Sequence, residues 1–453
     1  MYKYDKDELA IKDLQAFVED HKQKVSRYKR LQNYYEGRPE VVARLPFERG
    51  GNPPERNLGI FSPYAKYITD MLTGYFLGTP VRYSAVDRDT EDDDKLLEIL
   101  NGIFKYNDEQ EANAGTGKTC SIKGRAVEIL WADADANVRF KTLQPEEAFA
   151  IYDNTLEENI RFGVRMYTSA SGEDYEEFVE VTDHRTTKTY RVGDPWLLVD
   201  EAEHYFDDVP FVYYANNAEE MGDWESVITL IDAYNKTQTN TLQDMDDFTD
   251  SYLCLVNMAG TTKEDLRRAK ESRTLLLESD GDAKWLTKAV NDAWVENIKN
   301  RLNHDIHKFT ATPDLNDEQF GANLSGVSLR YKLLGMEQVR AMKERKFKKG
   351  RQRRMELSCK YLRYSKNEAY DYTGIGIDFN NSLPQNVVEI AQTIQSLSPY
   401  LSRETLISML PMVENAQEEM EKKKAEDEAD MPDYAELAEL MRAREPDGDE
   451  DEE

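Results

Sequence analysis

The residues with the most overt chemical promise are Gly115-Thr116-Gly117-Lys118-Thr119. In a nucleotide-hydrolysing enzyme such a run wraps backbone N–H groups around phosphates, with the lysine ammonium beside them. A second stretch could complete the set: Trp196-Leu197-Leu198-Val199 leads into Asp200-Glu201, the pattern of a buried strand ending in magnesium-binding acids. The structural requirements are not met. The full loop spacing needs glycine where Ala112 stands. The preceding residues, Leu96 to Phe104, have helical rather than strand spacing. The following SIKGRAVEIL contains Gly124 and enters a strand within a few positions, which leaves little room for a helix facing the phosphates. WLLV follows TKTYRV across the tight turn GDP, so it belongs to an antiparallel hairpin. A nucleotide-binding sheet needs parallel strands joined by helical crossovers. The spacing therefore predicts a helix-to-strand junction at Gly115 to Thr119, and a nucleotide-driven DNA motor remains as the rival reading.

Other constellations are weaker. His304 and His307 lie three apart on one predicted helix, with Asp305 the only adjacent acid; a zinc site needs more ligands. Asp244 to Asp250, DMDDFTD, alternates acids, but Phe248 and the missing loop glycine break a calcium loop. Glu91 to Asp94 is most simply a helix start. No catalytic residue, metal site or cofactor is nominated.

The elements that would position any site read as an α+β chain. Helical spacing covers residues 8–36, and a Gly/Pro/Arg-rich loop follows. A helix opened by Ser62-Pro63 stops between Gly74 and Gly78, and another occupies TEDDDKLLEILNGIFKY. From about 120 to 215 the pattern turns to antiparallel strands. RAVEILWA pairs with VRFKTL, IRFGVRMYT with EEFVEVTDH, and TKTYRV with WLLV, before DVPFVYYANN closes the region. A long helix over 224–249 carries Val227, Ile231, Tyr234, Leu242, Met245 and Phe248 on one stripe. A second, over 292–310, carries Trp294, Ile298, Leu302, Ile306 and Phe309. Residues 251–290 form a small mixed unit between them. A polar Gly/Asn-rich stretch leads to a very long helix from Val327 towards Ser365. YDYTGIGIDFNNSLP returns briefly to strand, and the remainder is helical.

The chain has 453 residues and a formal net charge of −30, which argues against a tight wrap around nucleic acid. Its three cysteines, Cys120, Cys254 and Cys359, are far apart, and a reducing interior is their expected home. The start of the chain has no signal-peptide core, and no apolar run approaches the ~20 residues needed to span a membrane.

Several stretches, in order, carry a resemblance: LQNYYEGRPEV, YAKYITDMLTGYFLGTPVRYS, HYFDDVPFVYYANN, GANLSGVSLRYKLLGMEQVRAMKERKFKKGRQRRMEL and LSRETLISMLPMVENAQEEMEK. Over roughly residues 25–425 the sequence resembles the portal (connector) proteins of long-tailed double-stranded-DNA bacteriophages. The SGVSLRYKLLGME…KERKFKKG stretch is the most specific piece. The resemblance implies a homo-oligomeric ring, usually a dodecamer, at one capsid vertex of the virion. The ring assembles in the host cytoplasm, and viral DNA enters and leaves through its axis. It implies terminase, capsid or scaffold, and head-completion proteins as partners, with the ATP-using motor a separate protein. Residues 1–220 would be the wing, completed by 365–385. Residues 221–250 and 291–310 would be the stem and 251–290 the clip. Residues 311–325 would be the tunnel loop, 326–364 the long helix and 386–430 the crown, followed by an acidic tail at 431–453. A capsid-associated adaptor that never surrounds DNA is a further alternative.

The residues themselves agree with a conduit. Asp232, Asn240, Asp244 and Asp247 lie off the stem stripe, where a channel wall would be acidic or neutral and would repel phosphate. Asn316, Gln319, Gly321, Asn323 and Ser325 would give the tunnel loop polar contacts without positive charge. From Arg330 to Arg354 the long helix carries eleven Lys or Arg against Glu337 and Glu344. Arg345, Lys346, Lys348 and Lys349 are expected to pair with acids of an adjacent subunit rather than with DNA. The stretch Glu414–Glu453 carries eighteen acids and five bases and reads as a solvated, partly disordered end.

Overall fold

Alternation of the apolar pattern between periods 3.6 and 2 along the chain is realised in a computed structural model of the protein. It describes residues 2–38, 59–86, 91–171, 174–249, 252–257, 262–272, 281–286, 292–315, 331–379, 387–410, 413 and 416–429. In chain order the first half contains β1 (Tyr2–Lys3), α1 (Ile11–Tyr35), α2 (Tyr64–Leu77), β2 (Arg82–Ala85), α3 (Glu91–Tyr106) and α4 (Glu109–Lys123). The strand region follows as β3 (Arg125–Ala132), β4 (Val138–Leu143), β5 (Ala148–Tyr152), β6 (Ile160–Ser171), β7 (Asp174–Thr182), β8 (Thr186–Arg191), β9 (Leu197–Glu203) and β10 (Phe211–Ala215). Then come α5 (Ile228–Thr249), β11 (Tyr252–Val256), α6 (Lys263–Ser272), β12 (Asp282–Leu286), α7 (Asp292–Phe309), α8 (Leu334–Lys366) and β13 (Ile375–Asp378). Three helices end the described chain: α9 (Val387–Leu397), α10 (Arg403–Ser408) and α11 (Ala416–Ala429).

The chain divides into two units. One comprises Met1–Ala322 with Arg330–Ser382; the other comprises Asn323–Leu329 with Leu383–Glu453. In the second, Ser402 caps α10 by accepting from Thr405 N at 3.3 Å, and Leu406 is buried.

The first unit holds two larger sheets. The six-stranded one runs β1-β5-β6-β7-β8-β9, antiparallel apart from the short parallel β1–β5 pair. Helix α1 covers it because Leu14, Val18, His21 and Tyr28 recur on one face, and Leu14 and Val18 pack on Phe149, Ile151, Phe162, Val164, Val179 and Val181. Burial pushes the His21 imidazole down to about 4, so it is neutral at ordinary pH, and Nε2 donates to the Pro145 carbonyl at 2.8 Å.

The three-stranded sheet β10-β3-β4 supports the other core. Phe76, Leu96, Leu100, Phe104, Leu130, Phe140, Phe206, Tyr214, Phe347 and Met355 meet there, drawn from α2, α3, α8, the sheet and the β9–β10 connection. Each fully buried Leu or Phe contributes about 1.5–3 kcal/mol. The late strand β13 returns to pair with β2, from Ile375↔Ala85 to Asp378↔Arg82. The mixed stretch 251–290 contains the antiparallel β11–β12 pair with α6 between its strands.

Inside this core lies an ionic cluster. Arg354 on α8 and Glu128 on β3 are both fully buried. Arg354 Nε donates to Glu128 Oε1 at 2.7 Å, and a second, very short contact joins its NH2 to Oε2. Arg354 NH1 donates to Glu109 Oε1 on α4 at 3.0 Å, and Tyr83 OH donates to the same oxygen at 2.5 Å. Removing one member leaves an uncompensated buried charge, so Arg354→Met is expected to cost about 3–5 kcal/mol in urea unfolding at fixed protein concentration. The double variant Arg354→Met with Glu128→Met should recover much of that loss. A single-variant cost below about 1 kcal/mol would show that the pair does not constrain the fold.

Candidate functional site

The glycine-rich run does not form a loop. Gly115 to Thr119 lies inside α4, and the helix-to-strand junction expected there is several residues later, at Gly124, before β3. Gly124 adopts φ +84°, and a side chain there would overlap Glu220 O, so it closes α4 as a left-handed cap. Gly117 lets α4 approach α2, since a Cβ would overlap Leu77 Cδ1. The N–H groups of the run belong to an α-helical interior and are not turned towards a ligand. Thr116 is buried and donates to Ala112 O at 2.7 Å. Lys118 is exposed, its ammonium 4.7 Å from the Tyr35 ring centroid. Asp200 and Glu201 lie on the exposed strand β9, with Asp200 opposite Thr189 and Glu201 opposite Lys188.

The two helices expected to form the stem, α5 and α7, pack on one another. On α5, Ile231 is buried, but so are the polar Asn235 and Thr239. Asn235 Oδ1 accepts from Ser62 N at 2.9 Å and Thr239 Oγ1 from Ile60 N at 3.1 Å, so α5 anchors the extended segment that leads into α2. Asp232 is half-buried and accepts from Tyr34 OH at 2.7 Å, a contact within its own chain. Asn240 is exposed. The side chains of Asp244 and Asp247, like those of Met245 and Phe248, lie outside the described residues. On α7, Ile306 is buried and Ile298 and Leu302 are half-buried, whereas Trp294 and Phe309 are 62% and 60% exposed. Asn316, Gln319, Gly321, Asn323 and Ser325 lie outside the described residues.

The basic helix α8 divides by face. Its buried positions follow Lys343, Phe347, Arg351, Arg354, Met355, Ser358 and Leu362, so cations occupy places on the apolar stripe. Lys343 Nζ donates to Asp223 Oδ2 at 2.6 Å and Asn216 Oδ1 at 2.7 Å. Ser121 Oγ donates to the same Asp223 oxygen at 2.5 Å, tying α4 and α8 to the approach to α5. Arg351 lies 3.6 Å from Glu109 and 4.7 Å from the Phe347 ring centroid. Arg353 NH1 and Lys360 Nζ both reach Asp208, at 2.8 and 2.6 Å. Burial alone would raise the Asp208 carboxyl, but the hydrogen bonds and charges of Arg353 and Lys360 outweigh it and hold it down at about 2. Lys348 is half-buried, 3.4 Å from the Ile377 carbonyl oxygen. Arg345, Lys346 and Lys349 are exposed and have no ion-pair partner among the described residues.

These internal pairs were missed because a basic run was read as a surface feature. The signal that could have found them is spacing: Lys343, Arg351 and Arg354 share the helical stripe of Phe347, Ser358 and Leu362. His307 is likewise committed internally, with Nδ1 3.0 Å from Thr312 O, while His304 is exposed. Among the described residues no cluster of three or more His, Cys, Asp or Glu is arranged to hold a metal, and no helix is long and apolar enough to cross a membrane.

Comparison with known proteins places residues 14–433 within the family described as phage portal protein, SPP1 Gp6-like. The portal protein of Bacillus phage SPP1 is 24% identical over 394 residues, covering 82% of this chain and 76% of that protein. The portal protein of Clostridium phage phiCD119 is 21% identical over 414 residues, covering 85% and 89% respectively. A solved structure titled as the neck of an empty GTA particle aligns at TM-score 0.48 and 12% identity, over 77% of this chain and 90% of its own.

The helical setting of Lys118 yields a direct expectation. Among the described residues, Lys118→Ala removes one exposed cation–π contact, worth about 0.5–1 kcal/mol. Titration calorimetry with Mg-ATP should give no binding heat for either form. ATP turnover by the pure wild-type chain, abolished in this variant, would restore the motor reading.

Proposed function

The chain belongs to the SPP1 Gp6-like family of phage portal proteins, and we propose that its copies close into a ring of twelve through which viral double-stranded DNA is packaged and ejected. In this reading the ring occupies one vertex of the capsid after assembly in the host cytoplasm. It carries no catalytic activity of its own and serves as the docking site for terminase, capsid or scaffold, and head-completion proteins. The observation that carries the reading is the family match across residues 14–433, nearly the whole chain.

Residues 1–220 with 365–385 are assigned to the wing, 221–250 and 291–310 to the stem, and 251–290 to the clip. The tunnel loop is 311–325, the long helix 326–364 and the crown 386–430. The surface supports repeated contact between copies. Trp294 and Phe309 leave more than half of their area in water on α7. Covering each would contribute about 3 kcal/mol of apolar burial per interface, from roughly 120 Å² at ~25 cal/mol/Å². A contact of this kind between two different surfaces of one chain propagates head to tail, and it closes into a ring when the rotation between copies returns to the start. The net charge of −30 per copy suits a wall that repels phosphate and lets DNA slide. Asn240, with Asp244 and Asp247, is assigned to that wall. Asp232 is assigned to the same channel face, with one carboxylate oxygen taken by Tyr34 of its own chain.

Arg345, Lys346 and Lys349 are assigned to acids of the adjacent copy, with Lys348 beside them. Because the three exposed cations make no ion pair among the described residues, reversing two should change the fold's stability by less than about 0.5 kcal/mol. Lys346→Glu with Lys349→Glu is therefore expected to weaken ring assembly in light scattering and negative-stain images. Intact rings with failed packaging would place these residues on the DNA path instead. A wild-type chain that stays monomeric across salt and concentration would count against the whole reading.

The segment through Asn316, Gln319, Gly321, Asn323 and Ser325 is assigned to weak, reversible contact with DNA. Valine at both Gly321 and Asn323 restricts the backbone conformations open to those residues and leaves the sequences of α5 and α7 unchanged. Rings of normal size that fill fewer heads with DNA are expected. Wild-type yield of filled heads would reduce the segment to a connector.

A further inference from the structure

Beyond α7 the chain turns through Thr310 to Leu315 against α2, and side chains from two helices converge on that turn. Tyr67 OH donates to Pro313 O at 2.9 Å and lies 3.5 Å from Leu315 N. Tyr64 OH donates to Asn303 Oδ1 at 2.6 Å, and Asn303 Nδ2 donates to Asp314 Oδ2 at 3.2 Å. His307 Nδ1 is 3.0 Å from Thr312 O, and because a carbonyl only accepts, Nδ1 carries the hydrogen. His307 Nε2 stands 3.8 Å from Asp314 Oδ2. The rings of Tyr64 and Tyr67 present edges to the imidazole at centroid distances of 6.0 and 5.6 Å. Burial raises both tyrosine hydroxyls above their ordinary range, so both remain donors.

The turn needs such support. Ala311 sits at φ +52°, a left-handed conformation that alanine resists. Thr312 N bonds back to His307 O at 3.2 Å, which fixes the residue after it. The far side is held by the same helix. Tyr75 OH, on α2, donates to Glu337 Oε2 at 2.7 Å in the first turn of α8, and a Cβ at Gly335 would stand 3.5 Å from Ala311 Cβ. Tyr64 and Tyr67 are three apart on α2 and face one way.

We propose that Tyr67 and His307 are positioning residues, an anchor on α2 and α7 that sets the direction in which the chain leaves the stem at Thr312 to Leu315. The role rests on the reading of 311–325 as the channel segment: a segment that touches DNA must start from a fixed base. Tyr67 acts through its hydroxyl and His307 through its donor to Thr312. Neither is assigned contact with DNA.

The test uses the full-length protein and phage carrying the same variants. Tyr67→Phe removes the hydroxyl and keeps the ring edge against His307. Amide hydrogen exchange across residues 310–315 is expected to rise about tenfold, with exchange in the body of α7 and ring size unchanged. The yield of DNA-filled heads should fall several-fold. His307→Gln, which retains a donor, should be milder than His307→Ala in both readouts. Unchanged exchange in Tyr67→Phe would overturn the anchor. Faster exchange with wild-type filling would overturn its role in aiming the segment. Failure of the wild-type chain to form rings would sink the ring reading by itself, while the exchange result would still decide the anchor.

Discussion

Two guanidinium groups and two carboxylates share the interior of the larger core, and their charges cannot be left apart. Arg354 grips Glu128 with two bonds and Glu109 with a third, and Arg351 stands beside Glu109. Helix α8 lies more than 200 residues beyond α4 and β3, which follow one another in the chain. A buried ion pair of this kind need not add net stability over an apolar equivalent, because desolvation of each charge offsets the attraction. It does impose arrangement: any packing that separated Arg354 from Glu128 would strand a full charge in an apolar medium. Helix α8 is thereby held at one rotation and one height against the three-stranded sheet. Asp208, caught by Arg353 and Lys360, and Asp223, caught by Lys343, repeat the same fixation along the helix.

Fixing α8 also fixes what surrounds it. Helix α4 carries Glu109 into the cluster, and its glycine at position 117 lets it lie close against α2. The run that resembles a phosphate loop is consumed by this packing. A phosphate site needs N–H groups at a helix start, free and facing a cavity; here the threonines are buried and the lysine rests on Tyr35. The Asp223 network then carries the constraint from α4 and α8 to the approach of α5. α5 in turn holds the segment before α2 through Asn235 and Thr239. The portal chain thus links its β-rich part, its long helix and its paired helices α5 and α7 by polar contacts within each copy. Exposed apolar area on α7 and exposed cations on α8 remain on the outside.

How much of this was legible in the sequence follows from where each side chain's partners lie. Elements with one wet face were readable. Leu14, Val18 and Leu31 mark α1, alternation marks β6 to β8, and the hairpin through GDP marks β8–β9, which counts against the nucleotide reading and leaves it as the rival. The resemblance to the portal family was carried by ordered sequence stretches, SGVSLRYKLLGME with KERKFKKG above all. Helix α4 escaped because its second half is buried nearly all round, Lys118 excepted, and by mostly polar residues, so Asn113, Thr116, Thr119, Cys120, Ser121 and Lys123 show no apolar stripe.

Charge was legible as a sum and illegible as a pairing. The sequence by itself determined the acidic balance, the basic run on α8 and the α+β class, and its ordered stretches carried the resemblance to portal proteins. The first three depend on residue type and local spacing, which the chain carries in one dimension. Only the tertiary structure decided that Lys343, Arg351 and Arg354 turn inward to acids 120 to 245 residues away, while Arg345, Lys346 and Lys349 stay in water. A helix repeats every 3.6 residues, so adjacent cations point in different directions. Which direction is inward depends on the surface that packs against the helix, and here that surface comes from distant parts of the chain.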